Sequence, residues 1–231
     1  MKLFKNHTLN KIDEQNWKYY LKTLDGEISD IWDYIVITAT NEKQKEHYEK
    51  EISKRREEKK LPKKIKFLVI SDFEGQRVGS GGATLNVLRY MEEKEKNFRN
   101  KKTLIIHSGG SSKRILQYSL SGKLFMPIQR TLPDGRPSSL FDEIFLSFLA
   151  MPSKIDNGIF ILSGDVWLLF DYSEINIKGE KIVAISAKAE SKKGENHGVF
   201  LVDKDKYLLK FLHKQSKEKL QEERSNRKKF S

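Results

Sequence analysis

Four short apolar runs set the terms for this chain: YIVITA at 34–39, KFLVIS at 66–71, TLIIHS at 103–108 and GIFILSG at 158–164. Each is rich in Ile, Val or Leu and apolar on both faces, the pattern of central strands in a parallel sheet covered by helices. Two weaker runs, KIVAIS at 181–186 and GVFLVD at 198–203, read as further strands. Helical segments lie between the runs. NEKQKEHYEKEISKRREEKK is polar almost all round, with Tyr48 and Ile52 one turn apart, and is expected on the surface. GATLNVLRYMEE sets Ala83, Val87, Leu88 and Met91 on one face of a helix over 83–93. SSLFDEIFLSFLA carries an apolar stripe of Leu140, Phe141, Ile144, Phe145, Phe148 and Leu149, and Ser139 and Asp142 have capping-box spacing at its start. Strand and helix alternate, so the expected class is α/β with a Rossmann-like, mostly parallel sheet.

Composition narrows the chemistry. A chain of 231 residues can bury one sizeable core. It has no cysteine, which excludes disulfides, thiolate catalysis and cysteine–zinc sites. No apolar run approaches the ~20 residues of a membrane helix. The start, MKLFKNHTLNKIDEQ, has no continuous apolar stretch and makes a poor signal peptide, so a cytoplasmic location is expected. The formal net charge of +12 attracts anions without saying which: nucleic acid, nucleoside triphosphates and sugar phosphates all qualify. The lysines of EKQKEHYEKEISKRREEKKLPKK alternate with glutamates, as on a solvated helix face. The tail KQSKEKLQEERSNRKKFS reads as an exposed helix fading into disorder. It lacks the interleaved aromatics of a stacking platform, which weighs against a nucleic-acid arm.

Ligands of such sheets bind beyond the carboxyl ends of the strands. After 103–108 comes GGSSKR, in which Gly109 and Gly110 can bring backbone N–H groups close to a phosphate. Ser111 and Ser112 add hydroxyl donors there, and Lys113 and Arg114 add charge. An ordinary tight turn with exposed cations has the same composition. Lys123 follows in GKLFMP, either folded back over the same phosphates or out in solvent. The Walker pattern does not fit, because position 117 is Gln and position 124 is Leu. A second cluster, Gly79, Ser80, Gly81, Gly82, Ala83 and Thr84, puts open backbone at a helix N-terminus, a natural anion site. The following strand ends in His107 and Ser108 rather than in an acid, which argues against NAD. Asp165 ends the strand at 158–164, where it can hold Mg²⁺ against phosphate oxygens or serve an ordinary Gly-Asp turn.

Six blocks in order resemble the fucose-1-phosphate guanylyltransferase family, whose domain also forms the N-terminal half of bifunctional fucokinase/GDP-fucose pyrophosphorylases. They are WDYIVITATNEKQKEHY, GQRVGSGGATLNVL, LIIHSGGSSKRILQYSLSGKLFMPI, LPDGRPSSLFDE, LSGDVWLLF and NHGVFLVD…FLHKQS. The resemblance implies a sugar-nucleotidyltransferase fold over 32–216, preceded by a helical extension at 1–31 and followed by a basic tail at 217–231. It implies the reaction of GTP with fucose 1-phosphate to give GDP-fucose and pyrophosphate, with Mg²⁺. Residues 79–84 and 109–114 would then cradle the nucleotide, with Arg114 and Lys113 on the leaving pyrophosphate and Lys123 on the α-phosphate or the attacking phosphate. Asp165 would hold the metal, and His197, Gly198 and Lys214 would face the sugar phosphate. Related enzymes commonly have proline before the signature lysine, where this chain has Gly122. Family members continue well past the point matching Lys214. The domain is therefore expected to be incomplete: a fragment, one half of a split gene pair with the rest of the site on a second chain, or a remnant without activity. In that case the chain by itself would be a GTP-binding module without turnover.

Overall fold

A computed structural model describes residues 6–72, 78–108, 122–177, 179, 182–186 and 194–227. The chain divides into two compact units, Met1–Lys178 and Gly179–Ser231, so the domain expected over 32–216 contributes to both.

The first unit contains a four-stranded parallel sheet in the order β2-β1-β3-β6. Its strands are β1 (Tyr34–Ala39), β2 (Lys66–Ser71), β3 (Lys102–His107) and β6 (Gly158–Ser163). All six residues of β1 are buried, because helices cover both of its faces. Ile35 and Ile37 join Leu104 and Ile106 in the larger core cluster. α4 (Leu140–Phe148) brings Phe141, Ile144, Phe145 and Phe148 to that cluster, and α2 (Glu42–Glu57) brings Tyr48 and Ile52. On the other face, Val36, Ile70 and Ile105 meet Val87 and Met91 of α3 (Gly79–Lys94), while Leu88 is half-buried. Each of these side chains contributes about 1.5–3 kcal/mol by leaving water.

The sequence pattern overstates the cover on the outer strands. β6 packs Phe160 and Leu162 into the core but leaves Ile159 and Ile161 exposed, since α3 lies on β1 and β3. β2 forms the opposite edge and is only partly buried. Residues 182–186 form no strand, and Ile182 is 95% exposed. An apolar run needs a pairing neighbour to become a strand, and this one has none among the described residues. α2 is less superficial than its polar sequence suggests, because Gln44 is buried with Tyr48 and Ile52.

α1 (Asn6–Leu24) packs into the core of the first unit through Tyr20, with Trp17, Tyr19 and Leu24 beside it. Tyr20 is 2% exposed, packs on Phe145, and donates its hydroxyl to the Lys60 carbonyl at 3.0 Å. A short antiparallel pair, β4 (Pro127–Thr131) and β5 (Pro137–Ser139), leads into α4. Ser139 caps that helix, and with Asp142 it forms the capping box that the spacing predicts. Arg55 Nε and a terminal guanidinium nitrogen then reach the two oxygens of Asp142, each at 3.2 Å. No helix among the described residues is long and apolar enough to cross a membrane.

In the second unit, β7 (Gly198–Val202) pairs antiparallel with β8 (Leu208–His213), and α5 (Lys217–Arg227) follows. Gly198 lies close under the Phe211 ring, 2.6 Å from it for an added Cβ.

The Arg55–Asp142 pair joins α2 to α4 inside the first unit. Asp142→Ala takes the two-point partner from the buried Arg55 guanidinium, which keeps only Glu51 as a counter-charge, and is expected to cost about 3 kcal/mol. Ser139→Ala removes mainly a cap, at about 1 kcal/mol. Urea unfolding of the two variants should show that ordering.

Candidate functional site

The parallel register puts the carboxyl ends of all four strands on one edge. Thr38 of β1 stands beside His107 of β3, and His107 stands beside Ser163 of β6. The Gly164 N–H donates to the His107 carbonyl at 2.8 Å, which fixes the turn after β6 against the end of β3. Asp165 follows in that turn, exposed, with one carboxylate oxygen accepting from the Ser163 hydroxyl at 2.5 Å.

α3 begins at Gly79, so the glycines lie inside its first turn instead of ahead of it. Gly79 has φ +70, and the N-cap Val78 supplies no side-chain cap. Gly79, Ser80 and Gly81 are exposed, and the free N–H groups of a first helical turn face outward there. Thr84, one turn on, lies 2.8 Å from Nε2 of His107. The other ring nitrogen, Nδ1, lies 3.4 Å from the Thr38 hydroxyl. The Thr84 hydroxyl donates to the Ser80 carbonyl at 3.0 Å, and the Ser108 N–H donates to Thr38 Oγ1 at 3.2 Å. One assignment of hydrogens satisfies every group: Thr38 donates to Nδ1, and Nε2–H donates to Thr84. That assignment is the neutral imidazole. Burial holds the His107 pKa below its ordinary value, in the same direction.

α2 supplies the third part. Its N-cap Asn41 accepts from the Gln44 N–H at 3.0 Å, and Gln44 Oε1 accepts from the Thr40 N–H at 2.8 Å. The Tyr48 hydroxyl lies 2.8 Å from Ser108 Oγ. Gly122, buried with φ +75, rests against the same two side chains: a Cβ there would lie 2.0 Å from Tyr48 Oη and 2.7 Å from Gln44 Nε2. With a positive φ and those two side chains in the way, no residue but glycine fits this position. Lys123 follows it, half-buried and without an ion pair among the described residues.

Of the residues singled out in the sequence, 79–84, Lys123 and Asp165 belong to the first unit. Gly109, Gly110, Ser111, Ser112, Lys113 and Arg114 lie outside the described residues. His197, Gly198 and Lys214 belong to the second unit, where the Lys214 N–H donates to the His197 carbonyl at 3.1 Å, so the hairpin ends hold them together. Among the described residues no cluster of three or more acids or histidines could hold a metal. Nothing in the sequence marks Tyr48, Gln44 and Thr38 as site residues, or His107 as the bridge between Thr38 and Thr84. The spacing of Asn41 and Gln44 matches a capping box and is the signal available for Gln44. Tyr48 is visible only as an apolar neighbour of Ile52.

The model of the fucose pyrophosphorylase domain matches residues 95–230. The chain belongs to the fucose pyrophosphorylase family. It is 32% identical over 206 residues to the human fucose-1-phosphate guanylyltransferase, covering 83% of this chain and 33% of that protein. The mouse fucose-1-phosphate guanylyltransferase is 30% identical over 200 residues, 80% of this chain and 33% of the relative. The bifunctional fucokinase/GDP-fucose pyrophosphorylase of Arabidopsis thaliana is 29% identical over 203 residues, 77% of this chain and 19% of the relative. The chain thus spans about a third of the length of the human and mouse relatives or less. No solved structure matches it significantly.

The neutral imidazole gives a pH signature. A histidine whose folded pKa is depressed binds its proton more weakly in the native state than in the unfolded chain. Its full contribution is present above the unfolded value of about 6.5 and declines as pH falls from there toward the folded value. Unfolding free energy measured across that window should fall more steeply for the parent chain than for His107→Gln.

Proposed function

We propose that the chain is the nucleotidyltransferase portion of a GDP-fucose pyrophosphorylase, acting in the cytoplasm on GTP and fucose 1-phosphate. The observation that carries this reading is the shared carboxyl edge: the open helical turn at 79–84, the Gly122–Lys123 step and Asp165 are tied to the ends of neighbouring strands. Family membership supports the choice of reaction, and the names of the relatives supply guanine and fucose.

The reaction asks two things of the protein. It must hold two mutually repelling polyanions in line, and it must offset charge as pyrophosphate departs. An oxygen of the sugar phosphate attacks the α-phosphorus of the nucleotide, a new P–O bond forms, and the bond from the α-phosphorus to the bridging oxygen breaks. No covalent enzyme intermediate is required. In this reading the free N–H groups of residues 79–82 receive nucleotide phosphate, as helix N-termini do. Lys123 stabilises the charge that develops at the α-phosphorus, and Lys113 and Arg114 bind the leaving pyrophosphate. His197, Gly198 and Lys214 are assigned to the sugar phosphate.

Asp165 suits Mg²⁺, a hard cation commonly held by one or two carboxylates together with substrate phosphates. Its carboxylate is exposed at a strand end and keeps an oxygen beyond the one that Ser163 engages. The ion would neutralise phosphate charge when bound. In this reading further carboxylates would come from a second chain that completes the site.

Pyrophosphate release with GTP, fucose 1-phosphate and Mg²⁺ tests the reading. Lys123→Ala and Asp165→Ala should each lower kcat/KM by about 100-fold or more, the scale of losing a group that meets developing charge. A chelator should abolish release and added Mg²⁺ restore it. GTP binding without turnover would instead identify a module awaiting a partner. Salt-sensitive nucleic-acid binding indifferent to both substitutions would overturn the proposal.

A further inference from the structure

Tyr48 touches two stretches that lie far from it in sequence, the end of β3 and residues 122–125. Its hydroxyl is 2.8 Å from Ser108 Oγ, at the end of β3. It also faces the Cα of Gly122, where no side chain fits. Its ring stands 5.2 Å from that of Phe125, centroid to centroid. The tyrosine is itself fully buried, and it sits on a helix fixed at two other places: Ile52 lies in the core and Arg55 is bound to Asp142.

We propose that Tyr48 is a positioning residue for phosphoryl transfer: it is a strut that sets the distance between Ser108 and the Gly122–Lys123 step. The proposal deepens the nucleotidyltransferase reading and rests on it. A lysine that meets charge only in the transition state must be held within a fraction of an ångström, and a displacement of about 1 Å can cost about 100-fold in rate. Lys123 has no ion pair of its own among the described residues, so its backbone must carry that precision. Two features of the sequence then make sense together. Position 122 is glycine so that the chain can approach the phenol. Position 48 is tyrosine because phenylalanine would fill the same core volume and lose the hydroxyl bond to Ser108. Burial pushes the phenol up to about 12, so it remains a neutral hydroxyl at working pH.

The molecule contains its own control. Tyr20 is another buried tyrosine, and its hydroxyl bonds to the Lys60 carbonyl, in the segment that leads into the amino end of β2. Tyr48→Phe and Tyr20→Phe each delete one buried hydroxyl, and both should lower the melting temperature slightly. Only Tyr48→Phe should lower kcat for pyrophosphate release, by about 10-fold or more, with a smaller change in KM for GTP. Ser108→Ala should lower kcat comparably, and the double variant should be little worse than either single one, because the two hydroxyls share one bond. Amide hydrogen exchange is the second readout, and it does not depend on turnover. Peptides spanning 122–126 should exchange faster in Tyr48→Phe and unchanged in Tyr20→Phe. Equal kcat losses in both tyrosine variants, or unchanged exchange over 122–126, would overturn the strut. Absence of turnover in the parent chain would discard the reaction alone, and the exchange result would still decide whether Tyr48 holds this step.

Discussion

A parallel sheet brings its carboxyl ends to one side, but it does not decide what stands over them. In this chain a line of hydrogen bonds does that, half-buried at the strand ends and exposed at the helix start. With the neutral imidazole assigned as above, the Ser108 N–H donates to Thr38, Thr38 to His107, His107 to Thr84, and Thr84 to the Ser80 carbonyl. The line runs from the end of one strand across its neighbour and up into the first turn of α3. Every donor finds an acceptor only while the imidazole is uncharged. A buried group with unmet hydrogen-bonding capacity is costly, so the arrangement favours one placement of the helix start.

Tyr48 performs a related task from the other face of the sheet. Thr38 and Thr84 fix the helix start relative to β3, whereas Tyr48 fixes Gly122 relative to the same strand. Both constraints act through β3 and the residue that follows it. The most buried strands, β1 and β3, thus serve as the reference against which the exposed groups are set. Small displacements at those groups would need a shift of packed core, which close-packed interiors resist.

Much of this was legible in the sequence, for identifiable reasons. The sheet strands at 34–39, 66–71, 102–107 and 158–163 announced themselves because helices cover both faces of β1, so no polar alternation interrupts it. Ser139 and Asp142 announced the start of α4 because a capping box is a local rule. Non-local relations were hidden. Ile182, Val183 and Ile185 have strand composition but no neighbour to pair with among the described residues. Ile159 and Ile161 are apolar although the face they occupy is exposed. The pair β4–β5 is short and polar, and nothing in PIQRT or PSS marks it. At the site, glycine and charge drew attention to 79–84, Lys123 and Asp165. Among the side chains that hold those positions, Thr38, Tyr48 and His107 carry no motif, because their work depends on contacts between residues distant in sequence, 60 positions apart for Tyr48 and Ser108.

In the proposed mechanism the helix start at 79–84, Ser108, Lys123 and Asp165 face one polyphosphate. Titration of the isotopically labelled 231-residue chain with GTP and Mg²⁺, followed by amide NMR, addresses it most directly. The account predicts that the amides of these residues shift together, with one common dissociation constant. Shifts confined to the lysine-rich face of α2 or to the C-terminal tail, with the strand ends unmoved, would contradict it.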